Sequence, residues 1–261
     1  MLKAYTLYKH AWVYEDAPHT EQALSQEQMK SLLRQGGWMV RNTYDFDTPQ
    51  QTDFWYIVKD RFGGMDELSS KTRNQVRRGM ANYHIERISQ EELLQKGYPI
   101  YQAAAAAYKT RATAPTLTEF EQRITNAGKD IEFWGAYNPS NEMVAFAINQ
   151  TGKDYCDYQT LKAMPKDMKN YVYYALIYEM NRYYLEERQM KYVLDGARSI
   201  TEHSNIQPFL EEKFRFRKAY CHLQIRYTWW FGSIVKCLYP FRKMIGIPSI
   251  QAVLAMHGMQ S

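Results

Sequence analysis

With 261 residues, 45% of them hydrophobic, the chain is long enough for one large domain or two modest ones with a proper core. Aromatic residues reach 15%, chiefly through 22 tyrosines, while 13 glycines and 9 prolines are few, which excludes a disordered or collagen-like chain. The net charge of +5 is uneven: Lys213 to Ser261 holds eight Lys or Arg and no Asp or Glu, and the remainder sums to −3. An end of one sign suits an anionic partner, whether phosphate, nucleic acid or the inner membrane leaflet, or else it is a solvated basic tail.

The opening "MLKAYTLYKHAWVYED" lacks the apolar core of a secretory signal, so a cytoplasmic protein is expected, with peripheral attachment to the inner face of the membrane as an option. Cys156, Cys221 and Cys237 are odd in number and widely spaced. They suit neither a disulfide framework nor a zinc site, and no metal is expected.

"SQEQMKSLLRQGG" predicts a helix with a Ser25 cap, Glu27 in its first turn and a terminal glycine pair. Strand patterns follow in "GWMVRNTYDFD" and "DFWYIVKD"; after the break "RFGG" comes a helix through "ELSSKTRNQVRRGMAN". From His84 the order is a strand "HIERIS", a helix from Ser89 to Ala107, and a helix "LTEFEQRITNAG" capped by Thr116 or Thr118. Three strands, "IEFWGAYN", "EMVAFAINQ" and "DYCDYQTL", are joined by turn sequences short enough for an antiparallel meander. A helix over residues 171–188 carries Val172, Leu176 and Met180 at i+4 spacing. The strand "YVLDGA", a helix "NIQPFLEEKFR" and a strand "YCHLQIRYT" complete the run β-α-α-β-β-β-α-β-α-β.

That order resembles the GNAT acyltransferase fold, and its ending resembles the Fem-type peptidyltransferases and their acetyltransferase relatives, over about residues 82–227. The carrying residues are Asp195, Gly196, Arg198 and Ser199 after the fifth strand, then Phe209, Lys213 and Phe214 on the following helix. "LSSKTRNQVRRG", with Arg73, Asn74, Arg77 and Arg78, resembles the basic helix before a Fem-type second domain. The resemblance implies an α+β fold: a GNAT-like mixed, mostly antiparallel sheet flanked by helices. The chain is too short for two complete units, so residues 1–81 are expected to form a reduced N-terminal GNAT-like subdomain, 82–227 the acyltransferase domain and 228–261 a basic aromatic tail.

In that fold the fourth and fifth strands splay apart to admit the acyl donor, and a backbone amide of the fourth faces the reacting oxygen. The resemblance implies that Asp157, Tyr158 and Gln159 lie near the opening. Alternation puts Asp157 and Gln159 on one face, Cys156 and Tyr158 on the other. Asp157, Asp195 and Tyr158 are the catalytic candidates, a carboxylate taking the proton of an attacking amine. The rival reading of each carboxylate is a hydrogen-bond acceptor for nearby backbone or Arg198. Gln159, Thr160, Lys166, Lys169 and Asn205 are candidates for the donor, and Arg198, Ser199 and Arg77 for anionic groups of the substrate. Arg198 has a rival role in an ion pair with Asp195. His203 is an acid or base, or a loop residue capping the next helix with Ser204 and Asn205.

The segment "KAMPKDMKNY" after the fourth strand contains no glycine, unlike the pyrophosphate loop of most coenzyme A-dependent relatives. Acyl-CoA or acetyl-CoA is the expected donor, with aminoacyl-tRNA second. The expected activity is N-acyl transfer to an amine of a sugar, peptide or cell-envelope precursor. The alternative is a non-catalytic protein that keeps the fold and uses its basic surface on a membrane or nucleic acid. "WWFGSIVKCLYPFRKMIG" is too short and charged to span a bilayer. It reads either as an interfacial helix on an anionic membrane or as a tail packing on the N-terminal unit.

Overall fold

The computed structural model describes residues 4–107, 115–200 and 205–260. His203 and Ser204, considered above as acid, base or cap, lie outside the described residues. In chain order the elements are β1 (Tyr5–Tyr8), β2 (Ala11–Tyr14), α1 (Gln26–Arg34), β3 (Met39–Tyr44), β4 (Phe54–Lys59), α2 (Ser70–Asn82), β5 (His84–Ile88), α3 (Gln90–Ala106) and α4 (Leu117–Thr125). They continue with β6 (Ile131–Tyr137), β7 (Met143–Thr151), β8 (Tyr155–Ala163), α5 (Pro165–Met168), α6 (Val172–Asn181), β9 (Tyr192–Ala197), α7 (Ile206–Phe214), β10 (Arg217–Tyr227), α8 (Trp229–Leu238) and α9 (Pro248–Gly258). The mixed, mostly antiparallel sheet with flanking helices expected from the sequence is present.

Two compact units divide the chain: residues 1–57, 197–202 and 218–261 form unit 1, and residues 58–196 and 203–217 form unit 2.

In unit 2 the strands run β9-β8-β7-β6-β5, antiparallel throughout except for the parallel pair β8 and β9. Helix starts follow local chemistry. Ser69, Ser89 and Thr116 each accept a backbone N–H in the first turn of α2, α3 and α4, and Thr116 forms a full capping box with Glu119. One side of the sheet packs Phe133, Phe146 and Ile148 against Leu93, Ile100, Phe120 and Ile124 of α3 and α4. On the other, α6 runs into a π-helical turn over Arg182–Glu187 that seats the fully buried Tyr184. Its hydroxyl accepts from Trp134 Nε1 at 2.8 Å and donates to Glu132 at 2.9 Å.

Helix α2 packs on α6 through Gly79. A Cβ at that position would stand 2.6 Å from the Tyr171 carbonyl and 3.2 Å from the Ala175 backbone nitrogen.

In unit 1 the order is β1-β2-β3-β10-β4. The hairpin β1–β2 turns through Lys9 and His10, both at positive φ (46° and 66°), which is the two-residue geometry that matches strand twist. Turn chemistry does not announce it, because neither residue is Asn, Asp or Gly. Leu24, Met29, Leu32 and Val40 make the local core. The buried Glu21 accepts the Thr43 backbone N–H at 2.8 Å, and burial raises its carboxyl to about 7. Among the described residues no helix is long and apolar enough to cross a membrane.

Gly79→Ala is expected to destabilise the protein by about 1–3 kcal/mol, because the added methyl meets backbone that cannot swing aside. A lower urea midpoint at unchanged slope is the expected result, and an unchanged midpoint would show that α2 and α6 are not locked there.

Candidate active site

The site is built where a ladder stops. Strands β8 and β9 pair in parallel at Tyr155↔Tyr192, Cys156↔Val193 and Asp157↔Leu194, and pairing ends there although β8 runs on to Ala163. The expected splay between these strands is thus present, and it opens at Asp157. A bulge accompanies it: Ile148 pairs with Thr160 but Asn149 with Tyr158, leaving Gln159 as the extra residue of β8. Simple alternation therefore fails beyond Tyr158, and Thr160 turns from the Tyr158 face to the α4 side, where its Oγ1 accepts from Arg123 at 3.1 Å.

Asp157 is half-buried and its carboxylate accepts the backbone N–H of Gly196, a donor on β9 that the diverging strand no longer pairs. Gly196 sits at φ 67°, a left-handed conformation that glycine adopts without strain and that turns the chain out of the strand. Burial raises Asp157 to about 6, against the lowering effect of that hydrogen bond. Asp195 is raised further, to about 8, first by burial and then by the charge of Asp157, with Gln207 opposing. Pairing of Leu194 with Asp157 puts the Asp195 side chain on the opposite face of the sheet from Asp157, one carboxyl on each of the two strands that border the opening.

Gln207 was not picked out from the sequence. It is buried in the first turn of α7 and donates to the Asp195 backbone carbonyl at 3.0 Å. A glutamine in an otherwise apolar helix start, "NIQPF", is the signal that would have found it.

The remaining candidates are placed as follows. Tyr158 is buried and donates to Asn181 Oδ1 at 2.9 Å; burial first, then Cys156, Tyr184 and Asp195, push its phenol well above the usual range. Gln159 is exposed and donates to Gln150 Oε1 at 2.5 Å. Lys166 and Lys169 are exposed on and just after the single turn α5. Asn205 occupies the N-cap position of α7 without a side-chain cap bond. Arg77 is exposed on α2. Arg198 and Ser199 belong to unit 1, where the Arg198 guanidinium donates to the Asp53 carbonyl at 2.5 Å and lies 6.0 Å over the Trp55 ring.

At the expected diphosphate position the chain offers no glycine cradle. Tyr171 takes φ 67° to start α6, and α2 covers the first turn of that helix through Gly79, with Arg78 5.1 Å over the Tyr171 ring. A carboxylate also stands in the loop: buried Asp167 accepts from Tyr83 Oη at 2.8 Å, while its second oxygen has no partner. Among the described residues no cluster of metal ligands occurs. A separate concavity on the β5–β6 edge of unit 2, lined by Arg87, Gln90, Lys129 and Glu132, is remote in sequence from the splay.

FemX superposes with a TM-score of 0.55 at 9% identity, over 80% of this chain and 77% of that one. The chain has a Fem-like GNAT fold. The C-terminal DUF2156 domain of a protein described as a lysylphosphatidylglycerol synthetase, from Agrobacterium fabrum, gives 0.51 at 10% identity, over 89% and 83% of the two chains. The ribosomal-protein-S18-alanine N-acetyltransferase from Escherichia coli matches at 0.33 and 22% identity, over 41% of this chain and 61% of that one. No family model matches the sequence, and no curated protein matches it significantly.

Both carboxyls hold protons more firmly in the folded chain than in the unfolded one. Stability from their neutral forms is complete below the ordinary carboxylate range and is lost as pH rises through about 6 and about 8. Asp195→Asn is expected to remove the upper part of this decline in thermal midpoints. A pH profile parallel to the wild type would place the titration elsewhere.

Proposed function

We propose that the protein is an N-acyltransferase whose reaction takes place at the opening between β8 and β9. The observation that supports it most is that pairing of β8 and β9 stops at Asp157 and Leu194, with Asp157 and Asp195 on the two bordering strands and both carboxyls raised by burial. Burial holds Asp195 above Asp157, so Asp157 is the first of the two to ionise as pH rises. The ionised carboxylate takes the proton of an amine as its nitrogen attacks the acyl carbon. The protonated partner gives its proton to the leaving group as the acyl–sulfur or acyl–oxygen bond breaks. Tyr158 is a neutral neighbour with its proton committed to Asn181, and Gln207 fixes the Asp195 strand end. The acceptor class is an amine on a sugar, peptide or envelope precursor.

Acyl-CoA is the first donor considered, with Lys166 and Lys169 as phosphate contacts and Gln159, Thr160 and Asn205 as neighbours along the donor. The covered start of α6 and the Asp167 carboxylate argue against a backbone cradle for a diphosphate. They favour a donor gripped by side-chain cations, and α2 contains no acidic residue while exposing Lys71, Arg77 and Arg78. Asn82 of α2 donates to the Asn170 carbonyl at 3.4 Å, which joins this basic face to the end of the α5 segment. An aminoacyl-tRNA donor is the second reading, supported by the exposed Lys71, Arg77 and Arg78 of α2. Arg198 is not included among the substrate contacts, because its guanidinium donates to the Asp53 carbonyl.

Asp157→Asn and Asp195→Asn are each expected to lower turnover about 100-fold or more with an unchanged circular dichroism spectrum, and wild-type rates in both would remove the assignment. Calorimetric titration with acetyl-CoA and with free coenzyme A separates the donors. Binding of either supports the first reading, whereas absence of both with RNase-sensitive copurification supports the second.

A further inference from the structure

We propose that the outer face of α8 and the segment after it is a docking surface for an anionic phospholipid bilayer. The face lies within unit 1 and is apolar without being part of the core. Trp229 is 85% exposed and Met244 83%, and Trp230, Ile234, Phe241 and Ile247 are also exposed. Trp230, Ile234 and Phe241 recur at i, i+4 and i+11, which keeps them on one stripe where helical geometry continues through the short turn after α8.

The stripe is held from beneath rather than hanging loose. Trp230 meets Trp38 edge-on at 5.6 Å, Phe231 lies 5.5 Å from Trp38, and Val235 is buried. Leu254 of α9 is 1% exposed, and Tyr239 packs against His257 at 5.0 Å. The inner residues therefore account for the packing of the segment on its own unit, and the outer ones remain to be explained. Trp38 itself, 40% exposed and stacked on His10 at 4.1 Å, extends the patch onto the turn of the first hairpin.

Charge decides the occupant. Residues 228–261 contain Lys236, Arg242 and Lys243 and no Asp or Glu. A second copy of the chain meeting this face about a two-fold axis would set like charges together without an acidic residue in the segment to answer them. Indole rings beside lysine and arginine suit the headgroup region of a membrane, where rings sit at the polar boundary and cations meet anionic lipid. With α8 spanning ten residues, the segment lies on the surface and does not cross it.

The test is flotation of the full chain with vesicles of phosphatidylcholine alone and with about one third phosphatidylglycerol, a composition whose surface charge attracts basic segments. Binding to the anionic vesicles with a blue shift of tryptophan emission is the expected result. Trp229→Ser combined with Met244→Ser is expected to weaken partitioning about ten-fold, and both positions are exposed enough for the fold to survive. Lys236→Glu with Lys243→Glu is expected to abolish the preference for anionic vesicles. No flotation of the wild type, or equal flotation of the Trp229→Ser, Met244→Ser variant, would overturn the proposal. A dimer in sedimentation equilibrium that Trp229→Ser dissociates would overturn it in favour of a second copy.

Discussion

Divergence of two parallel strands is the constraint on which unit 2 is organised. A strand that leaves its neighbour in mid-sheet abandons ladder hydrogen bonds, and buried N–H and C=O groups do not stay unpaired without cost. The chain answers with side chains: Asp157 takes the Gly196 N–H, and Gln207 gives a hydrogen bond to the Asp195 carbonyl. Both aspartates are half-buried at this strand end, on opposite faces of the sheet, and burial shifts both carboxyls upward. The chemistry proposed for the site follows from the repair of the sheet.

The surroundings of the opening are cross-linked by buried hydrogen bonds. Tyr184 ties β6 to the π-helical turn through Trp134 and Glu132, and Tyr158 is tied to Asn181. The bulge at Gln159 changes which residues of β8 face α4 just where the ladder ends. On the far side of α6, Gly79 permits a contact that a larger residue would block, and this contact covers the helix start. Close packing at Gly79 and the covered start of α6 are thus two aspects of one arrangement.

Unit 1 follows a different logic. Its inner residues are ordinary core, and its polar interior is a satisfied network around Glu21, Thr43, Asn42 and Gln224. Its outer face carries tryptophans and cations together. Exposing large indoles to water is unfavourable unless something covers them in use.

Much of the fold was legible because it is locally encoded. The run from β5 to β10 follows periodicity, caps and turn residues: Thr116 with Glu119 starts α4, and Asn138 to Asn141 makes a turn of the meander. The β1–β2 hairpin was missed because Lys9 and His10 adopt positive φ without the residues that normally signal it. Alternation along β8 was legible up to Tyr158 and failed at the bulge, which depends on pairing with β7. Among site residues, the sequence by itself determined that Asp157 and Asp195 lie on strand segments, and its resemblance to the GNAT fold implied that these are neighbours that splay apart. Only the tertiary structure decided that burial raises both carboxyls, that Gln207 supports the strand end at Asp195, and that α2 closes the start of α6. Each of those depends on burial and on contacts between segments distant in the chain, which local propensity does not carry.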